Sequence, residues 1–348
     1  MIRVVVVDDS AYNRVTISRM LESAGDVRVV ATAINGEDAI KQVIRFRPDV
    51  ITLDLEMPVM DGFAFLRWLM ANHPTPVIAV SSRSSDRSIF KALELGAVDF
   101  IAKPGGRVSP RLEAIQQDLV MKVRQCGEIR VENLKNRVRD EETSRIVIPS
   151  VAAAAGERLV DLVVIGSSTG GPPALQALFQ STPLLPVPFV VAQHMPSTFT
   201  RLFAERVNRL TPYRVKEAED GETLQPGFAY VAPGGFQCEV GRIDESLTMK
   251  ITDKEPGDLY APSVNRLFSS ASESCGERLI AVVLTGMGDD GAEAIRKVHD
   301  RGGQTIAESA ETAIIFGMPG EAIRTGAVRD ILALHDIPLA IRRLCIGS

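Results

Sequence analysis

Short runs of β-branched and apolar residues alternate with amphipathic stretches along most of this chain, and that alternation permits few folds. In the first 122 residues the runs fall at 4–7, 27–31, 50–53, 77–80 and 100–101. Between them, residues 12–21, 37–46, 63–70 and 89–95 carry the helical spacing of apolar side chains. Strands separated by helices return parallel, so the pattern predicts a doubly wound α/β domain over residues 1–122. Runs at 160–165, 189–192, 228–232, 279–284 and 304–307, with helix-like stretches at 199–210, 264–272, 292–301 and 320–325, predict a second α/β domain over 159–348 with a mostly parallel sheet. Between the two, residues 123–158 intersperse both charge signs and end in an alanine run and Gly156, the composition of a linker.

A chain of 348 residues with 45% hydrophobic content has enough material for two cores. Its formal net charge of −5 leaves no basic surplus for a phosphate-tracking surface, which argues against a nucleic-acid partner. The apolar stretch nearest to membrane-spanning length, residues 183–192, is short and broken by proline, so no membrane insertion is expected. Met1 is followed by a short apolar run and then Asp8-Asp9, unlike a secretory signal. The four cysteines, Cys126, Cys238, Cys275 and Cys345, lie far apart without a C-x-x-C pair, which fits a reduced, cytoplasmic protein.

Ligands of doubly wound sheets sit beyond the carboxyl ends of the strands. In the first domain the residues leaving the strands are Asp8 and Asp9, Asp54, Ser81, and Lys103 with Pro104. Carboxylates brought together there repel one another, and a hard divalent cation such as Mg²⁺ relieves that cost, while a lysine opposite them suits a phosphoryl oxygen. Asp8-Asp9, the stretch Asp54-Leu55-Glu56-Met57-Pro58 through Asp61-Gly62, Ser81, and Ala97-Val98-Asp99-Phe100-Ile101-Ala102-Lys103-Pro104 resemble the response-regulator receiver domain, whose fold is the flavodoxin-like (βα)5 sheet. The resemblance implies that Asp54 accepts a phosphoryl group from a histidine kinase. It also implies that Asp8, Asp9, Asp54 and Glu56 serve Mg²⁺ binding, and that Ser81 and Lys103 contact the phosphoryl group.

In the second domain, residues 160–173 run from an apolar strand through Gly166-Ser167-Ser168-Thr169-Gly170-Gly171 into Pro172-Pro173, which suits strand, sharp turn and helix start. The turn fits G-x-S-x-G, making Ser168 a candidate nucleophile, and equally fits a turn that binds an anion or nucleotide at a helix N-terminus. Of the four histidines, His73, His299 and His335 occupy positions with bland readings. His194 leaves the run 189–192 in Gln193-His194-Met195-Pro196 and is the candidate base. A second glycine-rich turn, Leu284-Thr285-Gly286-Met287-Gly288-Asp289-Asp290-Gly291, offers backbone N–H groups to an oxyanion and an aspartate to orient the imidazole. Spacing does not separate Asp289 from Asp290, and an Asp-Gly helix cap accounts for either.

These turns, with Ala218-Glu219-Asp220-Gly221, Ala232-Pro233-Gly234-Gly235 and Glu311-Thr312-Ala313-Ile314-Ile315-Phe316-Gly317-Met318-Pro319, resemble the catalytic domain of the chemotaxis protein-glutamate methylesterases, the CheB family. The resemblance implies the triad Ser168, His194 and Asp290, an oxyanion hole at Met287 and Thr169, and no cofactor for ester hydrolysis. It further implies methylated chemotaxis receptors as substrate and a chemotaxis histidine kinase as partner. Gln237 and Asn265 stand where that family commonly has histidine and aspartate. The competing reading is a response regulator whose second domain only binds a ligand.

Overall fold

The computed structural model describes residues 1–82, 86–103, 115–127, 129 and 159–347. The chain divides into two compact units, Met1–Ser144 and Arg145–Ser348.

The first unit runs β1 (Ile2–Val7), α1 (Ala11–Glu22), β2 (Val27–Ala33), α2 (Gly36–Phe46), β3 (Val50–Leu53), α3 (Gly62–Asn72), β4 (Val77–Ser82), α4 (Asp86–Glu94), β5 (Asp99–Lys103) and α5 (Gln116–Cys126). Its strands form one parallel sheet in the order β2-β1-β3-β4-β5. Val4, Val5 and Val6 are wholly buried, as a strand covered by helices on both faces requires. Ser10, Asn35 and Asp61 each accept an N–H from the first turn of α1, α2 and α3, so every one of these strand-to-helix turns ends in a side-chain cap. Helix α5 continues past residue 122, because Leu119, Val123 and Cys126 make one buried face that the charged Lys122 and Arg124 obscure in the sequence. The rest of the expected linker, 128 and 130–158, and Pro104 lie outside the described residues.

The second unit runs β6 (Leu162–Ser167), α6 (Gly171–Ser181), β7 (Phe189–Gln193), α7 (Ser197–Leu210), β8 (Arg214–Glu217), β9 (Phe228–Val231), β10 (Phe236–Ile243), β11 (Ser246–Asp253), α8 (Val264–Cys275), β12 (Leu279–Val283), α9 (Ala292–Asp300), β13 (Gln304–Glu308), α10 (Met318–Arg324), β14 (Asp330–Leu332) and α11 (Ile337–Ile346). Seven strands form a parallel sheet in the order β14-β13-β12-β6-β7-β9-β8. The five strands expected from the sequence make up its interior, and β8 and β14 add the two edges. An antiparallel hairpin, β10-β11, stands apart from this sheet, paired from Phe236↔Asp253 to Ile243↔Ser246.

One buried cluster joins Val164 and Val190 of the sheet to Leu267 and Phe268 of α8 and to Val240 and Met249 of the hairpin. Each such side chain contributes about 1.5–3 kcal/mol on burial. Polar bonds fix the register of hairpin on helix: Val240 N donates to Ser270 Oγ at 3.1 Å, and Ser274 Oγ donates to Val240 O at 2.9 Å.

Both sheets reverse their winding at one point. The chain moves outward from β1 to β2 and then back past β1 to β3; it moves outward from β6 through β7 and returns past β6 to β12. The crevice at the carboxyl ends of such a strand pair is where doubly wound sheets hold ligands. In this chain those crevices lie after Val7 and Leu53, and after Ser167 and Val283.

Candidate functional sites at the two switch points

In the first crevice, Asp8 and Asp54 leave β1 and β3, and Lys103 ends β5. Lys103 Nζ donates to Asp8 Oδ2 at 2.8 Å and to Asp54 Oδ2 at 2.6 Å, with all three side chains buried. Further donors hold the carboxylates. Asp8 Oδ1 accepts from Ser10 N at 2.9 Å and Asn13 Nδ2 at 3.1 Å, and Asp54 Oδ1 accepts from Glu56 N at 3.1 Å. Burial lifts the Asp54 carboxyl above its ordinary value; the charge on Lys103 opposes that rise and the charge on Asp8 adds to it. For Lys103 burial also works against the charged form, but Asp54 and Asp8 outweigh it and raise the ammonium above the usual lysine value. Carboxylate oxygens of Asp8, Asp9 and Asp54 lie within 4.8 Å of one another, a set of hard oxygen donors that fits a divalent cation. Glu56 meets this site through its backbone N–H, which donates to Asp54. Ser81, near the end of β4, is buried as well.

In the second crevice the strands β12, β6 and β7 lie side by side, and each supplies one group. Ser168 leaves β6, half-buried, in a turn closed by Gly170 at φ 78°, a backbone conformation that side chains other than glycine resist. His194 leaves β7, and its backbone N–H donates to Ser167 O at 3.0 Å, which ties the two strand ends together. Asp290 lies in the turn between β12 and α9. Its Oδ2 meets His194 Nε2 at 2.9 Å.

The choice that spacing left open between the two aspartates is made by burial, since Asp289 is exposed while Asp290 is 2% exposed. Asp290 also sits on the N-terminus of α8, accepting from Val264 N at 2.7 Å, Asn265 N at 2.8 Å and Ser263 Oγ at 3.0 Å. Burial alone would raise this carboxyl; the bond and charge of His194 and the backbone donors outweigh it and hold Asp290 below the ordinary value. Asp290 is therefore a fixed anion, and it engages Nε2 of the imidazole. Nδ1 is left as the ring nitrogen that can take a proton.

The β12 turn packs directly on the serine. Ser168 N donates to Thr285 O at 3.0 Å, and Thr285 Oγ1 donates to Thr169 O at 2.9 Å. A side chain at Gly286 would meet Ser168 Cβ at 2.8 Å, so only glycine admits this approach. Met287 follows, 36% exposed, and among the described residues no acceptor meets its backbone N–H. Thr169 is buried beside Ser168.

Several residues of this site carry no signal in the sequence. Gln193 Nε2 donates to both Ser168 O and His194 O at 3.0 Å, and its Oε1 accepts from Ser167 Oγ at 2.7 Å, so one buried carboxamide bridges the two strand ends. Glu308, buried at the end of β13, accepts from Thr285 N at 2.7 Å and from Thr312 Oγ1 at 2.9 Å. Tyr260 stacks on the His194 ring. The two residues noted as unusual also have defined partners. Gln237 bonds the segment around Tyr260, and Asn265 Oδ1 accepts from Ala294 N at 2.9 Å in the first turn of α9.

The fold and these sites define a class: a receiver-type α/β unit whose strand ends gather carboxylates and a lysine, followed by an α/β unit that presents serine, histidine and aspartate at its switch point. Residues 4–111 match the response regulator receiver domain and residues 163–341 match CheB methylesterase. The chain belongs to the CheB methylesterase family. It is 48% identical to protein-glutamate methylesterase/protein-glutamine glutaminase 1 of Myxococcus xanthus, over 99% of this chain and 97% of that one. It is 44% identical to protein-glutamate methylesterase/protein-glutamine glutaminase 3 of Geobacter sulfurreducens, over 99% and 97%. The crystal structure of the Thermotoga maritima CheB methylesterase catalytic domain superposes with a TM-score of 0.52 at 39% identity, covering 53% of this chain and 98% of that one.

Proposed function

We propose that this protein is a phosphorylation-regulated serine hydrolase that demethylates glutamate γ-methyl esters on the cytoplasmic helices of methyl-accepting chemotaxis receptors, and deamidates selected glutamines there, in sensory adaptation. The observation that carries this reading is the bond between His194 Nε2 and a buried, anionic Asp290 at the strand ends that also present Ser168, in a chain of the CheB methylesterase family.

Ser168 Oγ attacks the γ-carbonyl carbon while His194 Nδ1 takes its proton, and Asp290 stabilises the imidazolium. The N–H groups of Met287 and Thr169 receive the oxyanion, and one such donor is typically worth about 3–4 kcal/mol in the transition state. The tetrahedral intermediate collapses, the bond to the methoxy oxygen breaks, and the proton on His194 leaves with methanol. Water then attacks the acyl-enzyme, gives a proton to His194, and releases glutamate as Ser168 recovers it. With a glutamine the leaving group is ammonia. No cofactor enters these steps. The glycine-rich turn read as a ligand-binding output is less well supported, because it leaves the buried His194–Asp290 pair without a use.

Residues 1–122 act as the receiver, 123–158 as the linker and 159–348 as the catalytic domain. Asp54 accepts the phosphoryl group from a chemotaxis histidine kinase, with Lys103 and Ser81 contacting its oxygens. Asp8, Asp9, Asp54 and Glu56 would hold Mg²⁺, which offsets charge on the phosphoryl oxygens when bound. Among the described residues no helix is long and apolar enough to cross a membrane, and the reading needs neither membrane insertion nor nucleic acid. It places the enzyme in the cytoplasm, where its substrate helices lie.

The test is methanol release from methylated receptor membranes by wild type, Ser168→Ala and His194→Ala, each with and without a small phosphodonor and Mg²⁺. Release by wild type alone, raised by the phosphodonor, is the expected result. Release by Ser168→Ala at the wild-type rate would overturn the mechanism.

A further inference from the structure

His194 is a ring held by one hydrogen bond. Among the described residues its imidazole bonds only Asp290, through Nε2 at 2.9 Å. A single bond in the ring plane sets one atom but leaves the ring able to tilt about that contact, and tilt carries Nδ1 away from the proton it must take. A second restraint lies on the ring face. Tyr260 is stacked on the imidazole with centroids 4.4 Å apart and planes 3° from parallel.

Tyr260 is not free to move away, although it belongs to the irregular segment between β11 and α8. Its carbonyl oxygen accepts from Gln237 Nε2 at 2.8 Å, and the same amide nitrogen donates to Asp258 Oδ2 at 2.9 Å. Gln237 Oε1 accepts from Ser263 N at 2.9 Å. Gln237 is wholly buried on β10, so a carboxamide that loses one of these partners has no water at hand to replace it, and the loss is costly. Asp258 is held in turn by Arg266 Nη2 at 3.1 Å. The same stretch ends in Ser263, Val264 and Asn265, which supply the donors on Asp290. One anchored segment therefore carries both the ring over the base and the cradle of its acid partner. The phenol stays neutral at ordinary pH, since burial and the charges of Asp289 and Asp290 raise Tyr260 above the usual tyrosine value.

From this geometry we infer that Tyr260 is a positioning residue for His194, and that Gln237, through the hairpin, is what holds Tyr260 flat against the imidazole. The inference rests on the hydrolase reading above for its effect on turnover, and on the stacking alone for its effect on the ring. A histidine in place of Gln237 would have to make three bonds to a carbonyl, a carboxylate and an N–H from two ring nitrogens; the carboxamide makes all three.

The experiment uses the full chain as wild type, Tyr260→Phe, Tyr260→Leu, Tyr260→Ala, Gln237→Met and the double variant Tyr260→Ala/Gln237→Met. Two readouts are taken: kcat and KM for methanol release, and the NMR signal of the His194 Nε2 proton in its bond to Asp290, assigned by its loss in His194→Ala. Tyr260→Phe keeps the flat ring and is expected within about twofold of wild type, whereas Tyr260→Ala and Tyr260→Leu lose roughly 10- to 100-fold in kcat with KM little changed. Leucine preserves apolar bulk, so its failure separates stacking from filling space. The proton signal should persist in Tyr260→Phe and broaden away in Tyr260→Ala and Tyr260→Leu. Gln237→Met should lower kcat less than Tyr260→Ala does, and the double variant should be no worse than Tyr260→Ala, as expected when both act through one contact. Wild-type turnover with an unchanged signal in Tyr260→Leu would overturn the inference, as would a Tyr260→Phe defect equal to that of Tyr260→Ala. If wild type itself released no methanol, the hydrolase reading would fall, while the proton signal would still decide whether Tyr260 fixes the ring.

Discussion

Asp290 illustrates how one carboxylate is kept charged inside a protein. It is nearly inaccessible to water, a state that by itself favours the neutral acid, yet four donors converge on its two oxygens from His194, Ser263, Val264 and Asn265. An amide of the same shape turns an NH₂ group toward one set of these donors, so Asp290→Asn is expected to lower kcat about 10³- to 10⁴-fold with little change in KM, as steady-state methanol release would measure. The same arrangement has a pH signature. A carboxyl whose folded pKa lies below its unfolded value contributes stability that is fully present above the unfolded value, here near 3.8, and lost as pH falls through the lower folded value. The stability gap between wild type and Asp290→Asn should therefore be widest near neutrality and narrow in strong acid, a trend that urea unfolding across a pH series would follow.

At the scale of elements, α8 links the core to the site. Ser263 caps it by accepting from Arg266 N at 3.3 Å while donating to Asp290 Oδ1, so Ser263→Ala removes a cap and a donor together. The expected cost is about 1–2 kcal/mol in thermal unfolding, accompanied by a fall in kcat that a cap on a remote helix would not produce. The elements most legible in the sequence were those buried on both faces. Residues 279–284 and 162–165 read as uninterrupted apolar runs because β12 and β6 lie in the middle of a parallel sheet. The edges were not legible for the converse reason: β8, Arg214–Glu217, and β14, Asp330–Leu332, are short and half exposed, and their composition is that of loops. The β10-β11 hairpin was hidden by its turn, where Asp244 takes φ 54° without the Asn-Gly signal that usually marks such a reversal. Within the site, Ser168 and His194 were visible as residues leaving strands. Tyr260 was not, because a stacking partner supplied by an irregular segment has neither period nor fixed spacing from the residue it touches.

At the scale of the whole molecule, two sheets with the same switch-point logic carry chemically different pockets, one built to carry a phosphoryl group and one to cleave an ester. If the first controls the second, phosphodonor with Mg²⁺ should raise methanol release by wild type, chelation of the metal should abolish the rise, and Asp54→Asn should release methanol at the same rate with or without donor. Loss of response in a variant is open to the trivial explanation that the receiver has unfolded, and the electrostatics of Asp54 give a separate measurement that tests it. Burial, aided by Asp8, lifts its pKa above the unfolded value despite Lys103. A carboxyl raised in this way is a cost to the folded state at neutral pH, and the cost lifts only as pH falls through the folded value. Replacing it with the neutral amide should therefore raise the melting temperature of the receiver near neutrality, and the difference from wild type should shrink in acid, opposite in sign to the Asp290 variant. A more stable receiver that no longer answers the phosphodonor would locate the switch in the Asp54 carboxylate. A less stable one would show that the Lys103 pair outweighs burial, and the missing response would then say nothing about control.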